Sequence, residues 1–357
     1  MRDVHIVGAG PAGSIAAMSA IRAGHDVVVS EEHHVSGIPE NCSGLLSVEG
    51  LKSLRSFLDY KKVIINHIHG ADIYFLDEKL TVRREGAAGV VCDRATMDQI
   101  LAARAEAEGA TIKYGERIKD QFHSSNIIGA DGPLSSVANH FSFQRINHYA
   151  TTLRALVNFR CEDPSVVEVF LSNERFPGFF GWVIPQDEYT AEFGVGVKLP
   201  NGAGRAWHNL LKLKGVKQAP SPTGAVIPLE TRSRTGMRIG KRNVLLVGDA
   251  AGHVKSTTGG GVIFGGNCAA LAGRHAMSPQ RYEFEWRLRH GLDLALHKAV
   301  HDYIASKPDS EISALGRRLK KLNCDIYLSH HGHMDRPTSM IHPKMFMHLL
   351  KGIVGDT

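Results

Sequence analysis

The chain opens with a short apolar run, Asp3–Val7, that breaks at Gly8. From Pro11 to Ala23 apolar residues fall on most sides (Ala12, Ile15, Ala16, Ala17, Met18, Ala20 and Ile21), the pattern of a buried helix, and the run stops at Gly24. A second apolar run, Asp26–Ser30, reads as a buried strand. Strand, helix and strand this close together predict a parallel, right-handed crossover unit. Residues Val90–Gly109 predict a strand and then a helix starting near Arg94, with Met97, Ile100, Leu101 and Ala105 apolar, and Thr111–Tyr114 a further strand. Between residues 141 and 230 the runs Thr152–Phe159, Val166–Leu171, Gly181–Ile184 and Thr190–Val197 are β-rich, with turn residues between them, and predict an antiparallel sheet. Asn243–Val247 returns to the parallel type, and from about Pro279 the chain is helical and basic.

Composition narrows the class. With 357 residues, 43% hydrophobic and 22% charged, the chain is an ordinary globular one, long enough for more than one core. No window reaches the roughly 18 apolar residues of a membrane span. The start, Met1-Arg2-Asp3-Val4, runs straight into a strand, so no signal peptide is expected. Five cysteines with no Cys-x-x-Cys pair argue against a disulfide framework, a zinc ribbon or an iron–sulfur cluster, and a reducing cytoplasm fits best. The net charge of +6 is uneven: residues 1–200 hold 19 Lys and Arg against 25 Asp and Glu, and residues 201–357 hold 23 against 11. The basic half suits a nucleic acid, an anionic membrane surface or an acidic partner protein, and equally a solvated surface.

Three motifs carry chemistry. Gly8-x-Gly10-x-x-Gly13 follows a strand and opens a helix, with Pro11 and Ala12 in its first turn. Gly8 permits a tight turn, Gly10 the approach of a pyrophosphate, and Gly13 close helix packing. The helix start offers N–H groups and a positive dipole end to phosphates. Glu31, with Glu32 beside it, ends the second strand, where it can accept ribose hydroxyls. The second motif is Ile127–Val137, IIGADGPLSSV, with Asp131 and Gly132. The third is Val244–Gly261, VLLVGDAAGHVKSTTGGG. There Gly248-Asp249 ends a strand and can take hydrogen bonds from a polyol, while Gly259, Gly260 and Gly261 form a backbone N–H nest.

In this order the motifs resemble the flavoproteins of p-hydroxybenzoate hydroxylase type. Within that group GDAAGHVKSTTGGG is similar to the archaeal geranylgeranyl reductase family, with Ser256 where the family carries Pro. Pro177–Pro185, PGFFGWVIP, resembles the family's Tyr-x-Trp-x-Phe-Pro signature, with Phe180 at the Tyr position and Ile184 at the Phe position. Glu40–Leu45, Val91–Arg94 and Gly332–Pro337 resemble other family segments. The resemblance implies non-covalent FAD and reduction of isolated C=C bonds in isoprenoid chains such as the geranylgeranyl groups of archaeal ether lipids. It implies that Gly8, Gly10, Pro11, Ala12, Gly13, Glu31 and Glu32 serve the ADP half. Cys42, Arg94, Asp131, Gly132, Gly248, Asp249, Gly259, Gly260 and Gly261 then serve the rest of the cofactor. Cys42, Phe180 and Trp182 are the candidate catalytic-site residues.

The expected fold is α/β (α+β): a discontinuous Rossmann-like FAD-binding domain with a parallel sheet (1–140 and 236–280), an antiparallel β substrate domain (141–235) and a C-terminal helical region (281–357). An isolated alkene has no carbonyl to polarise, so hydride from flavin N5 and a proton must meet in an apolar site. Phe176, Phe179, Phe180 and Trp182 suit its wall, and Cys42 or His253 can relay the proton, although a surface or pyrophosphate-side place is expected for His253. The expected partners are a prenyl lipid and an electron donor (ferredoxin or NADPH), with an anionic membrane surface as a further candidate and no nucleic acid. No metal site is expected; His297 and His301, and His330, His331 and His333, lack a ligand-spacing motif. The expected location is cytoplasmic, with a peripheral place on the inner face of the membrane as its variant. Ile341–Val354 has the spacing of an amphipathic helix for such a surface. Two rival readings are a flavin monooxygenase or halogenase, whose Trp-x-Trp-x-Ile-Pro signature lacks its first Trp here, and a non-catalytic FAD-containing lipid-binding protein.

Overall fold

The computed structural model describes residues 3–122 and 124–341. The candidate surface helix Ile341–Val354 lies, but for Ile341, outside the described residues. The first crossover forms as the apolar pattern requires: Asp3–Val7 pairs in parallel with Asp26–Glu31, joined by the helix Pro11–Arg22. These strands centre a six-stranded sheet whose order is Gly236–Ile239, Arg242–Leu246, Asn126–Gly129, Asp3–Val7, Asp26–Glu31 and Thr111–Tyr114. Every pairing in it is parallel except the Gly236–Ile239 edge hairpin. Helix Pro11–Arg22 lies directly on helix Val262–Arg274, and small residues allow it. A Cβ on Gly273 would sit 2.3 Å from the Ala16 carbonyl oxygen, and Ser19 Oγ donates to the Ala270 carbonyl at 2.6 Å.

The second sheet has seven strands, in the order Thr223–Pro228, Tyr149–Asn158, Thr190–Lys198, Gly181–Pro185, Val166–Leu171, Gly70–Phe75 and Glu78–Arg83. Two of these come from inside the segment expected to belong wholly to the nucleotide-binding part, so a cut at residue 140 does not follow the sheets. The sheet is not purely antiparallel either, because Val166–Leu171 pairs in parallel with Gly70–Phe75. Alternation gives this sheet two apolar faces. Phe193, Val195 and Val197 pack with Trp207 and Leu210 of helix Ala203–Leu213, while Trp182 and Ile184 face the nucleotide-binding side. A three-stranded sheet, Leu45–Ser47, Gly89–Cys92 and Ile64–Ile68, lies between the two.

The C-terminal helices return to both parts. Asp309, at the start of helix Asp309–Lys321, accepts hydrogen bonds from Ser172 Oγ and Asn173 N at 2.6 Å each, and Gly316 packs on Phe75. Among the described residues no helix is long and apolar enough to cross a membrane.

Candidate functional site

The first glycine turn is built by contact. Gly8 has φ +98°, and a Cβ there would sit 2.4 Å from the Ala130 carbonyl oxygen. At Gly13 a Cβ would lie 1.8 Å from the Gly8 carbonyl oxygen, so helix and turn meet backbone to backbone. Gly10 differs. Its φ is an ordinary −68°, and a Cβ would meet nothing within 4 Å. No protein neighbour requires a glycine there, and the open space above the helix start is the cradle a phosphate group fills. Glu31 is buried, takes the Ala9 N–H at 2.7 Å and the His33 N–H at 2.9 Å, and so fastens the turn to the end of its strand. Glu32, next to it, is exposed and pairs with Arg117 at 3.2 Å. Asp131 ties down the start of helix Ser136–His140, taking Ser135 Oγ at 2.6 Å, Ser136 Oγ at 2.9 Å and Val137 N at 3.0 Å, while Gly132 beside it has φ +74° and open space.

Arg94 opens a helix capped by Asp93, whose carboxylate accepts the Thr96 N–H at 2.9 Å. Its guanidinium is buried and donates to Asp98 at 3.0 and 3.3 Å and to Cys42. Burial disfavours the charge, but Cys42 and Asp98 beside it hold the group above its ordinary value. Among the described residues the buried Arg94 Nε has no partner. Such an N–H costs about 1–3 kcal/mol unless a ligand accepts it. Gly44, at φ +70° and with no room for a Cβ against the Cys92 carbonyl, presses the Cys42 loop onto strand Gly89–Cys92. Burial pushes the Cys92 thiol up to about 11, with Arg94 opposing and Cys42 adding to the shift.

Asp249 follows strand Arg242–Leu246 in a single turn, Gly248–Ala250. Gly248, at φ +59°, carries this corner onto Ala12. Asp249 keeps a little accessible surface on its open side and is crowded elsewhere. Burial pushes its carboxyl up to about 6 against the pull of Arg94. Among the described residues its carboxylate receives no hydrogen bond or ion pair, so its lone pairs are free for a polyol. Gly261 caps helix Val262–Arg274 with its Cα against that carboxylate: a Cβ would stand 2.8 Å from Asp249 Oδ1.

Aromatic rings adjoin this corner. Phe179 lies over Gly196 of the neighbouring strand, and its Cζ would be 3.4 Å from a Cβ on Gly259. Trp182 lies over Gly194, its register partner. Phe179 and Phe180 stack at 4.3 Å, and Phe180 and Trp182 meet at 5.5 Å. With Leu45, Ile68, Val91, Ile184 and Leu229 they form one apolar cluster. Phe176, expected in the same wall, lies in the turn between strands Val166–Leu171 and Gly181–Pro185 and packs with Phe193 and Trp207 on the opposite face of the sheet, where the bare Gly181 leaves room for its ring. Helix Leu292–Ala305 closes the seam between the two parts: His297 Nδ1 meets Thr257 Oγ1 at 2.7 Å and His301 Nε2 meets the Gly178 carbonyl at 3.1 Å. His253 is neither on the surface nor toward phosphates. It is fully buried against Trp286, ring centres 4.7 Å apart, with both nitrogens unpartnered among the described residues.

Two buried polar networks were not expected from the sequence. Trp182 Nε1 donates to Glu192 Oε1 at 3.0 Å, Arg154 reaches Glu192 Oε2 at 2.7 Å, and the same guanidinium donates to the Glu40 carbonyl at 2.6 Å. It thereby joins the aromatic wall to the Cys42 loop. Burial raises the Glu40 carboxyl, Arg154 lowers it, and Glu192 and Asp93 raise it further. In the second network Lys255 Nζ, beside Gly260, meets Asp335 Oδ1 at 2.8 Å, and Asp335 in turn takes Ser47 Oγ. Lys255 and Asp335 stood in two separate segments of interest, GDAAGHVKSTTGGG and Gly332–Pro337, and only folding shows that they touch.

A family model described as "FAD binding domain" matches residues 1–271. A digeranylgeranylglycerophospholipid reductase from Methanothermobacter thermautotrophicus is 27% identical, over 89% of this chain and 91% of its own. An uncharacterized protein from Methanocaldococcus jannaschii is 26% identical, over 95% of this chain and 93% of its own. Among solved structures, a geranylgeranyl bacteriochlorophyll reductase-like protein from Thermoplasma acidophilum superposes with TM-score 0.81 at 21% identity, covering 98% of each chain. A flavin-dependent brominase superposes with TM-score 0.65 at 14% identity, covering 100% of each chain.

Proposed function

We propose that this chain, which belongs to the FAD binding domain family and is an FAD-dependent oxidoreductase, reduces isolated C=C bonds in the isoprenoid chains of lipids. The observation that carries the reading is the junction at Gly259, where the apolar wall of Phe179, Phe180 and Trp182 meets the corner with the unpartnered Asp249 carboxylate. The names of the similar reductases support the same substrate class.

The residues fit FAD. Gly10, with Pro11 and Ala12 opening the helix behind it, leaves open space for a pyrophosphate, Glu31 stands at the ribose end, Asp249 has free lone pairs for the ribityl hydroxyls, and the orphaned Arg94 Nε needs an acceptor. Bound and reduced, the flavin supplies a hydride. The protein's share is to hold the alkene in a dry wall and deliver a proton to its second carbon. Cys42 is the residue we assign to hold that proton, at Sγ, with Arg94 positioning the thiol. Arg154, through Glu40, fixes the loop that carries it. An acidic redox protein such as a ferredoxin complements the basic second half of the chain better than NADPH does.

The test uses protein whose flavin has been reduced without oxygen and a geranylgeranyl glycerolipid dispersed in detergent. The expected result is flavin reoxidation together with a lipid heavier by a pair of hydrogens for each bond reduced. Cys42→Ala is expected to slow this step about a hundredfold while leaving the flavin spectrum in place. Reduced flavin that ignores the lipid but oxygenates or halogenates an added aromatic substrate on admission of O2 would replace the reading with a monooxygenase or halogenase. Bound lipid that is never reduced would leave a carrier.

A further inference from the structure

Helix Pro279–Trp286, a π-helical turn at Arg287–Gly291 and helix Leu292–Ala305 run on as one rod. Phe284, Leu288 and Leu292 repeat every fourth residue and are 67, 73 and 72% exposed. Tyr303 extends the outer side of the same rod at 52%. Large apolar residues so exposed, side by side on one helix face, mark a contact surface. Arginines border them: Arg287 on one side, paired with Glu283, and Arg281 and Arg289 on the other, paired with Glu285.

Beside this stripe, with Arg289 on the shared rim, opens a cavity of about 450 Å³. Its wall includes Arg22, Arg274, His290, Ser56 and Asn267. Arg22 and Arg274 stand in the last turns of helices Pro11–Arg22 and Val262–Arg274. At ~1.5 Å of rise per residue, this places the cavity on the order of 18 Å from the helix starts where the cofactor lies, so it is a separate site. Arg22 spends its charge on Glu108 and Arg289 on Glu285, but Arg274 is exposed and makes no hydrogen bond or ion pair among the described residues. A guanidinium free at the mouth of an arginine-walled cavity matches a phosphate oxygen pair.

We propose that this face docks on an anionic phospholipid bilayer, with Phe284, Leu288 and Leu292 entering the headgroup region and the arginine cavity receiving a lipid phosphate. Both halves point to one occupant, since an apolar stripe beside a cation-lined phosphate cavity is the chemistry of a bilayer interface. The rod that carries the stripe also carries, on its inner side, His297 and His301 over the seam of the site. A lipid-facing rod therefore borders the chamber that takes the lipid chain. That purpose rests on the reductase reading above; the binding itself is measured without it.

The full-length holoprotein is sedimented with vesicles of phosphatidylcholine alone or mixed with phosphatidylglycerol. Binding is expected with the anionic mixture only. Leu288→Glu with Leu292→Glu, and separately Arg274→Glu with Arg289→Glu, are each expected to lower the partition coefficient about tenfold or more while flavin absorbance stays unchanged. Inorganic phosphate at matched ionic strength is expected to leave the binding in place. Wild type that ignores anionic vesicles overturns the proposal, as do variants that bind like wild type. Release by phosphate assigns the cavity to a soluble anion instead. A dimer that Leu288→Glu with Leu292→Glu splits without any change in vesicle binding assigns the stripe to a second copy. Lipid reduction in detergent by a protein that ignores vesicles refutes the surface alone; vesicle binding without reduction refutes the activity alone.

Discussion

Two glycines three residues apart do different work. Gly13 is required by the fold, since a methyl group there would collide with the Gly8 carbonyl, whereas Gly10 is required only by what sits above it. Gly10→Ala is therefore expected to leave the melting temperature of the apoprotein within about 2 °C of wild type while weakening FAD binding at least about tenfold in a fluorescence titration. Gly13→Ala is expected to destabilise the apoprotein itself, by about 1–3 kcal/mol or more in urea unfolding. Equal effects of the two substitutions on the apoprotein would refute the distinction. The motif made both glycines visible in the sequence, because a phosphate cradle needs them at fixed spacing after a strand. It gave no such help with Gly194 and Gly196, whose bareness lets Trp182 and Phe179 lie flat on the sheet. Their partners become known only when strands pair.

At the scale of elements, the strand–helix–strand start, the Arg94 helix and the second sheet's principal strands were legible from apolar period alone, because each buries a face in the way its period dictates. The histidines were not. Spaced four apart on a helix, His297 and His301 invite a metal reading, yet they turn to Thr257 and the Gly178 carbonyl. His297 joins His253 and His290 in helix packing around Trp286 and Phe264, while His301 lies against Phe179. Burial, with nearby positive charge adding to it, pushes His253 down to about 3, and His290 and His297 to about 4. A histidine whose folded pKa is depressed below its ordinary 6.5 leaves stability whole above that pH and removes it as pH falls toward the folded value. Each of the three contributes about 1.4 kcal/mol per pH unit in that window. The stability measured by urea unfolding is expected to drop steeply from about pH 6 to pH 4 on this account. His253→Phe, which keeps a ring against Trp286, is expected to flatten the slope by about one histidine's share. An unchanged slope would show that His253 does not take up a proton on unfolding.

At the scale of the whole molecule, the long-range ties decide the arrangement, and these the sequence hides. Strands Gly70–Phe75 and Glu78–Arg83 cross to the second sheet because Gly70–Phe75 finds its parallel mate nearly a hundred residues later, in Val166–Leu171. Arg154 bolts that sheet to the Cys42 loop, and the Lys255–Asp335–Ser47 network bolts the C-terminal segment to the triple-glycine corner. Burial alone would raise the Asp335 carboxyl, but Lys255 and Ser47 hold it below the usual carboxylate range. Asp335→Ala leaves a buried ammonium facing only the Met334 carbonyl, and is expected to destabilise the protein by about 3–5 kcal/mol in urea unfolding. Lys255→Met combined with Asp335→Leu is expected to cost clearly less than the single change. A double variant no more stable than Asp335→Ala would show that the buried charge is not the cause. The tie has a further consequence for how the protein comes into being. The glycine turn Gly8–Gly13 that opens the pocket is synthesised before the whole of the second sheet, and Asp335, which secures its far corner, only after it. A nascent chain thus carries half a binding site until Asp335 has been made and can reach Lys255.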